Sequence, residues 1–112
     1  MGSKYHAKKA ELDGITFDSR AEARRYAELK LLLKAGKIKD LELQPAFTLM
    51  DSFKGPDGKT IRGIKYIADF KYQEGDQTVI EDVKGMRTQA YQIKRKLFLK
   101  LYPEYDFREI QA

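Results

Sequence analysis

The chain contains no cysteine, no tryptophan and a single histidine, His6, among its 112 residues. Without cysteine there can be no disulfide scaffold, thiolate zinc site or cysteine nucleophile. One histidine leaves no His-rich metal site and argues against a histidine-based triad. No apolar run approaches the roughly 18 residues of a membrane span, and the N-terminus lacks the apolar stretch of a secretory leader. A soluble, intracellular domain with no membrane partner is expected, and its chemistry must use Asp, Glu, Lys or Tyr. Internal repeats and low-complexity stretches are also missing.

What the chain has is charge on a globular background. Lys and Arg number 22 against 17 Asp and Glu, giving a net charge of +5 and a pI near 9.3. Apolar residues at 42% and aromatics at 12% are enough to fill the core of one compact domain. Residues 1–10, with Lys4, Lys8 and Lys9, read as a flexible basic arm, leaving 11–112 as the folded domain. Residues 12–17 look like a turn with a short extended piece. Ser19 with Glu22 three residues on is a capping box, and Gly36 after Ala35 is a C-cap, so the intervening segment predicts a helix. Glu22, Tyr26, Leu29 and Leu33 share one stripe of it.

Alternating Leu41, Leu43, Phe47 and Leu49 predict a strand over 38–50, interrupted by Pro45. Residues 51–59, with Pro56-Asp57-Gly58, read as turn chemistry. Ile64, Tyr66, Ala68, Phe70 and Tyr72 predict one long strand over 60–72 with an aromatic face, better suited to core than to base stacking. A partner strand follows at 78–84, then a helix over 88–102 with Ala90, Ile93, Leu97 and Leu101 inward. Pro103 stops that helix, and a last strand is expected at 105–110. The order α-β-β-β-α-β predicts an α/β (α+β) domain, a mixed four-stranded sheet flanked by helices.

The hairpin at 74–77 makes a geometric prediction. With Gly75-Asp76 as a two-residue type II′ loop, Asp69 lies directly opposite Asp82, with Cβ atoms about 4.5–5.5 Å apart. Two facing carboxylates repel, and a divalent cation between them turns repulsion into binding. Lys84, two residues beyond Asp82, shares its face and is suited to orienting an attacking water or offsetting phosphate charge. Glu22 adds a carboxylate from the first helix. Together Glu22, Asp69, Asp82 and Lys84 form a coherent metal-dependent phosphodiesterase site. Plainer readings stand beside it. Glu22 is accounted for by Ser19 alone, Asp69 by a surface pair with Lys71 or Lys84, and Asp82 with Lys84 by a solvated strand face. Glu81, on the opposite face, suits a buried salt bridge.

Residues 84–103 carry Lys84, Arg87, Lys94, Arg95, Lys96 and Lys100 with no Asp or Glu. Such a helix suits a polyanionic backbone, with Gln89 as a neutral donor and Lys8 and Lys9 of the arm as further contacts. An ordinary solvated helix face is the alternative. His6 has no assigned role.

Ser19-Arg-Ala-Glu22 opening a helix, Tyr66-Ile-Ala-Asp69-Phe in a strand, and Glu81-Asp82-Val-Lys84-Gly before a basic helix resemble the PD-(D/E)XK, restriction-endonuclease-like nuclease superfamily. More narrowly, the chain is similar to small phage and prophage proteins long described as of unknown function. The resemblance covers roughly 4–110. It implies Mg²⁺- or Mn²⁺-dependent cleavage of DNA, with Asp69, Asp82, Glu22 and the carbonyl of Val83 as metal ligands and Lys84 orienting the water. It also implies a cytoplasmic location in a bacterial host. Ala68 stands where the superfamily name has Pro. Ile93 follows Gln89 where exonuclease-type relatives carry Tyr, which favours an endonuclease. Branched DNA of the Holliday-junction type, in recombination, is the substrate class expected, and paired cuts imply a homodimer. The alternatives are a non-catalytic nucleic-acid-binding protein on the same fold, and a protein-interaction factor for which no motif speaks.

Overall fold

The computed structural model describes residues 9–112; Lys4, His6 and Lys8 lie outside them. Ala10, placed at the end of the arm by its composition, already opens β1 (Ala10–Leu12). β1 pairs antiparallel with β2 (Ile15–Phe17). Their link, Asp13-Gly14, has φ of 55° and 75°, the two positive values a type I′ turn requires. α1 (Arg20–Lys34) starts at Ser19, whose Oγ accepts from the Glu22 N–H at 3.1 Å. It ends in a Schellman motif: Gly36 at φ 75° donates to Leu33 O while Lys37 donates to Leu32 O.

The sheet uses β3 (Lys39–Leu43), β8 (Phe70–Glu74), β9 (Gln77–Lys84) and β10 (Asp106–Gln111), in the order β10-β9-β8-β3. β10 runs parallel to β9 and the other pairs are antiparallel, so the fold is a small α+β domain with a mixed four-stranded sheet. α2 (Gln89–Leu101), capped by Thr88, connects β9 to β10. Phe17, Tyr26, Leu29, Phe70, Tyr72 and Val79 form the core beneath α1. Phe47, Tyr66, Ile80, Tyr91 and Phe98 form a second core beneath α2. Val79 and Ile80, adjacent on β9, thus face opposite helices, as the pleat of a doubly covered strand requires.

Both long strands expected from alternation are broken. The segment 38–50 divides into β3 and β4 (Ala46–Met50) around Gln44-Pro45, with Gln44 at φ 50°. The segment 60–72 divides into β6 (Thr60–Ile61), β7 (Ile64–Ile67) and β8; β6 pairs with β5 (Phe53–Lys54), and β7 with β4. Proline cannot donate to a ladder. The two breaks face each other: Gln44 N donates to Asp69 O at 2.9 Å and Ala68 N to Pro45 O at 3.0 Å. The irregularity reverses which residues face which side. The expected single aromatic face becomes two, with Tyr66 in the α2 core and Phe70 and Tyr72 in the α1 core. The inward face of α2 also differs from expectation. Tyr91 and Phe98 are buried, whereas Ala90 is exposed and Ile93 and Leu101 are 54% and 46% exposed. Tyr91 and Phe98 instead pack into the aromatic cluster around Phe47 and Tyr66.

Glu81 is fully buried. Arg25 meets it with two bonds, Nε to Oε1 at 2.8 Å and Nη2 to Oε2 at 2.7 Å, and Tyr72 Oη donates to Oε2. This is the buried salt bridge that its strand face suggested, tying α1 to β9. Removing Arg25 leaves a buried charge without its counter-ion. Arg25→Ala is expected to cost about 3–5 kcal/mol, read as the change in urea unfolding free energy. A loss below about 1 kcal/mol, the scale of an exposed pair, would show that the bridge does not anchor α1.

Candidate metal and phosphodiester site

The hairpin holds the expected register. Glu74 pairs with Gln77 and the ladder runs to Phe70 opposite Glu81, with Gly75 at φ 61° in the turn. The pairing stops there. At the kink the Asp69 N–H goes to Glu81 O at 3.0 Å, one residue out of step, and the Asp69 side chain turns back. Its Oδ2 accepts from the Val83 N–H at 2.6 Å. Asp69 is therefore a bend residue fastened to the end of β9, and not a strand residue facing Asp82 across a ladder.

A pocket of about 610 Å³ opens at this point. Its walls come from the start of α1 (Asp18, Glu22), the bend (Gln44, Asp69) and the end of β9 (Val83, Lys84). Ser19 caps α1 by accepting from the Glu22 N–H, while the Glu22 carboxylate lines the pocket together with Asp69. The capping-box reading thus accounts for its backbone and not for its side chain. Asp82, 1% exposed, lies behind the pocket wall. Tyr66 Oη donates to its Oδ2, and burial with the Asp82 charge pushes the Tyr66 phenol well above its ordinary range, keeping it a donor. Lys84 Nζ sits 3.0 Å from Asp82 Oδ1 and 4.3 Å from the centre of the Tyr91 ring. That Oδ1 has no well-directed hydrogen-bond donor, so the ammonium balances its charge without satisfying its lone pairs.

The acids are close enough to disturb one another. Burial, then the charges of Asp82 and Glu22, pushes the Asp69 carboxyl up to about 8, against the opposing bond from Val83. Burial likewise raises Glu22, with Asp69 beside it opposing and Asp18 and Asp82 raising it further. Both carboxyls are thus held above their ordinary range. Among the described residues no three His, Cys, Asp or Glu side chains already converge as a metal cage. The donor set nevertheless fits a hard cation: Mg²⁺ takes one or two carboxylates and keeps several waters. Glu22 and Asp69 present that pair to the pocket, beside Val83.

The basic residues divide. Arg87 is committed to Glu109 (Nε to Oε2, 2.8 Å), and Arg95 lies 3.8 Å from Glu109 and 5.6 Å over the Phe107 ring. Gln89, Lys96 and Lys9 are exposed, and Lys94 is half-buried. The helix does not present six free charges on one face. Tyr66, Tyr91 and Gln44 are site residues that alternation could not reveal. Pro45, a strand breaker placed opposite Ala68, was the available signal.

Compared with known families, the chain matches over residues 2–111 the model of a family described as a protein of unknown function, DUF1064. It belongs to that family. None of the curated proteins matches it. Among the described residues no helix is long and apolar enough to cross a membrane.

A carboxyl whose folded pKa is raised contributes stability at low pH and loses it as pH rises through the folded value. For Asp69 that window runs from about 4 up to about 8. The metal-free protein is expected to lose thermal stability across this range, measured by calorimetry in EDTA. Asp69→Asn, which cannot ionise, should flatten the slope; an unchanged slope would mean that the Asp69 carboxyl is not raised by its burial.

Proposed function

We propose that the protein is a divalent-metal-dependent DNA endonuclease of the PD-(D/E)XK kind. The observation that carries this reading is the gathering of Glu22 from α1, Asp69 from the bend and Lys84 from β9 at a single pocket, with Asp82 of the same strand holding Lys84 from behind. Like charges are brought together at a cost in stability, an arrangement that functional sites use and ordinary surfaces avoid. A bound Mg²⁺ or Mn²⁺ supplies Lewis acidity toward the phosphate and a more acidic water.

The chain's own groups divide the remaining work. Glu22 and Asp69, as carboxylates, would hold the cation. Asp82, fixed by Tyr66, holds Lys84 at the pocket wall, where its ammonium orients the attacking water and offsets phosphate charge. Val83 donates its N–H to Asp69 and so aims that carboxylate. Exposed Gln89, Lys96 and Lys9 would meet the DNA backbone. Branched recombination DNA is the substrate class we favour, in a bacterial cytoplasm, with a two-fold homodimer giving paired cuts. That no three acids converge as a ready-made cage among the described residues favours the second reading, a nucleic-acid-binding protein whose acids are structural.

The test is cleavage of labelled four-way junction, duplex and single-stranded DNA in Mg²⁺, Mn²⁺ or EDTA. Products should require metal and fall by about 10²-fold or more in Asp82→Ala and in Lys84→Ala. DNA binding without product on every substrate, indifferent to EDTA and to both substitutions, would leave only the binding protein.

A further inference from the structure

Beyond Lys84 the acid pocket gives way to a second concavity of about 290 Å³, between β7 and the first turns of α2. The two share Ile67 and Lys84 as walls, so a linear ligand lying over Lys84 enters both. Their charge is opposite. The pocket is lined by Asp18, Glu22 and Asp69, whereas no carboxylate lines the groove and Lys65, Lys84 and Lys94 do. Lys84 is balanced by Asp82 behind it. Among the described residues neither Lys65 nor Lys94 has a carboxylate within salt-bridge distance. Thr88 completes the wall. Its Oγ accepts from the Tyr91 N–H at 3.1 Å, which leaves the hydroxyl proton free to donate. No acid occupies the first turn of α2, so the positive end of that helix adds to the field.

Two unbalanced ammonium groups, a free hydroxyl and a helix start around one small concavity match an anion with several oxygens. We propose that this groove binds a phosphodiester adjacent to the one at the acid pocket, so that a nucleic-acid strand crosses over Lys84 with one phosphate on either side. The inference rests on the nuclease reading for the identity of its neighbour and not for its own ligand. Lys65, on a strand away from the basic helix, becomes a positioning residue, and Lys94 is set apart from Arg87 and Arg95, which face Glu109.

The experiment measures binding of a fluorescent oligonucleotide in EDTA across a salt series, and cleavage of the same sequence in Mg²⁺. The proteins compared are the wild type, Lys65→Ala with Lys94→Ala, Lys65→Arg with Lys94→Arg, and Lys34→Ala with Lys37→Ala. The last pair removes equal charge near the C-terminal end of α1, about 20 Å along the helix from the pocket. We expect the alanine pair at 65 and 94 to weaken binding about 10-fold and to reduce the slope of log K against log salt by about 1. The arginine pair should restore both, and the control pair should change neither. Equal losses in the control would mean general attraction and overturn the groove, as would wild-type affinity in the alanine pair. Cleavage that persists with unchanged affinity and KM in the alanine pair sinks the groove and leaves the nuclease standing. Selective loss of affinity in that pair, with no cleavage by any protein, keeps the groove and sinks the nuclease.

Discussion

The structure depends on one shared interruption, where Gln44-Pro45 and Ala68-Asp69 lie side by side and exchange backbone hydrogen bonds. A strand pair that ran straight through this point would keep Asp69 in a ladder, with its side chain standing off the sheet. Because proline withholds a donor and Gln44 takes a positive φ, both strands leave one sheet and enter another at the same level. The bend frees Asp69 to reach the Val83 N–H and brings it to the start of α1. It also moves Tyr66 to the α2 side, where its hydroxyl meets Asp82. A single local irregularity therefore supplies the position of one acid and the support of another.

The bend sets an electrostatic problem that the surrounding residues only partly solve. Glu22, Asp69 and Asp82 lie near one another, and one ammonium, Lys84, contacts Asp82. Asp82 takes that ammonium and a phenol, while burial raises the carboxyls of Glu22 and Asp69. The other buried acid among the described residues is treated differently. Glu81, equally buried, receives a bidentate guanidinium and a phenol, the full complement that burial of a charge demands. The contrast separates an acid that holds the fold together from acids kept short of counter-charge. On the proposed reading that shortage is what gives a cation its place.

Much of this was legible in the sequence. The caps of α1, the hairpin register and the opposite facing of Glu81 and Asp82 follow from short-range rules: Ser19 before Glu22, Gly75 in the turn, and the period of two along β9. The candidate acids were picked out from the same rules, although the ladder pairing that set Asp69 opposite Asp82 gives way to the bend. What escaped was whatever depends on contacts between distant segments. From Ile64 to Tyr72 apolar residues alternate with only Ile67 out of step, and the bend is set by Gln44-Pro45, about twenty residues away. In α2 the aliphatic stripe Ala90, Ile93, Leu97 and Leu101 is as periodic as the buried Tyr91 and Phe98. The choice between them falls to the aromatic cluster of Phe47, Tyr66 and Phe107, contributed by three different strands. Likewise, counting cations along α2 could not show that Glu109 of β10 would claim Arg87 and Arg95.

Consecutive acids in Glu81-Asp82 explain how such a site keeps its geometry. A strand slipped by one residue exchanges its two faces. In β9 the exchange would drive Asp82, and Lys84 with it, toward the α1 side and carry Glu81 toward Tyr66, with Val83 where Lys84 stood. Both positions would still hold an acid, but the ammonium would leave the pocket wall. Side-chain length also opposes the slip. Arg25 closes on Glu81 in a two-bond fork that spans α1 and the sheet, and a carboxylate one methylene shorter would not reach it. The next residues add a second lock, since Val83 gives its N–H to Asp69 while Lys84 accepts from Ala112 through its carbonyl. The Arg25 bridge, remote from the pocket, thus fixes the register that places Asp82 and Lys84 at its wall. Stability and the candidate chemistry are set by neighbouring residues of one strand, on its two faces.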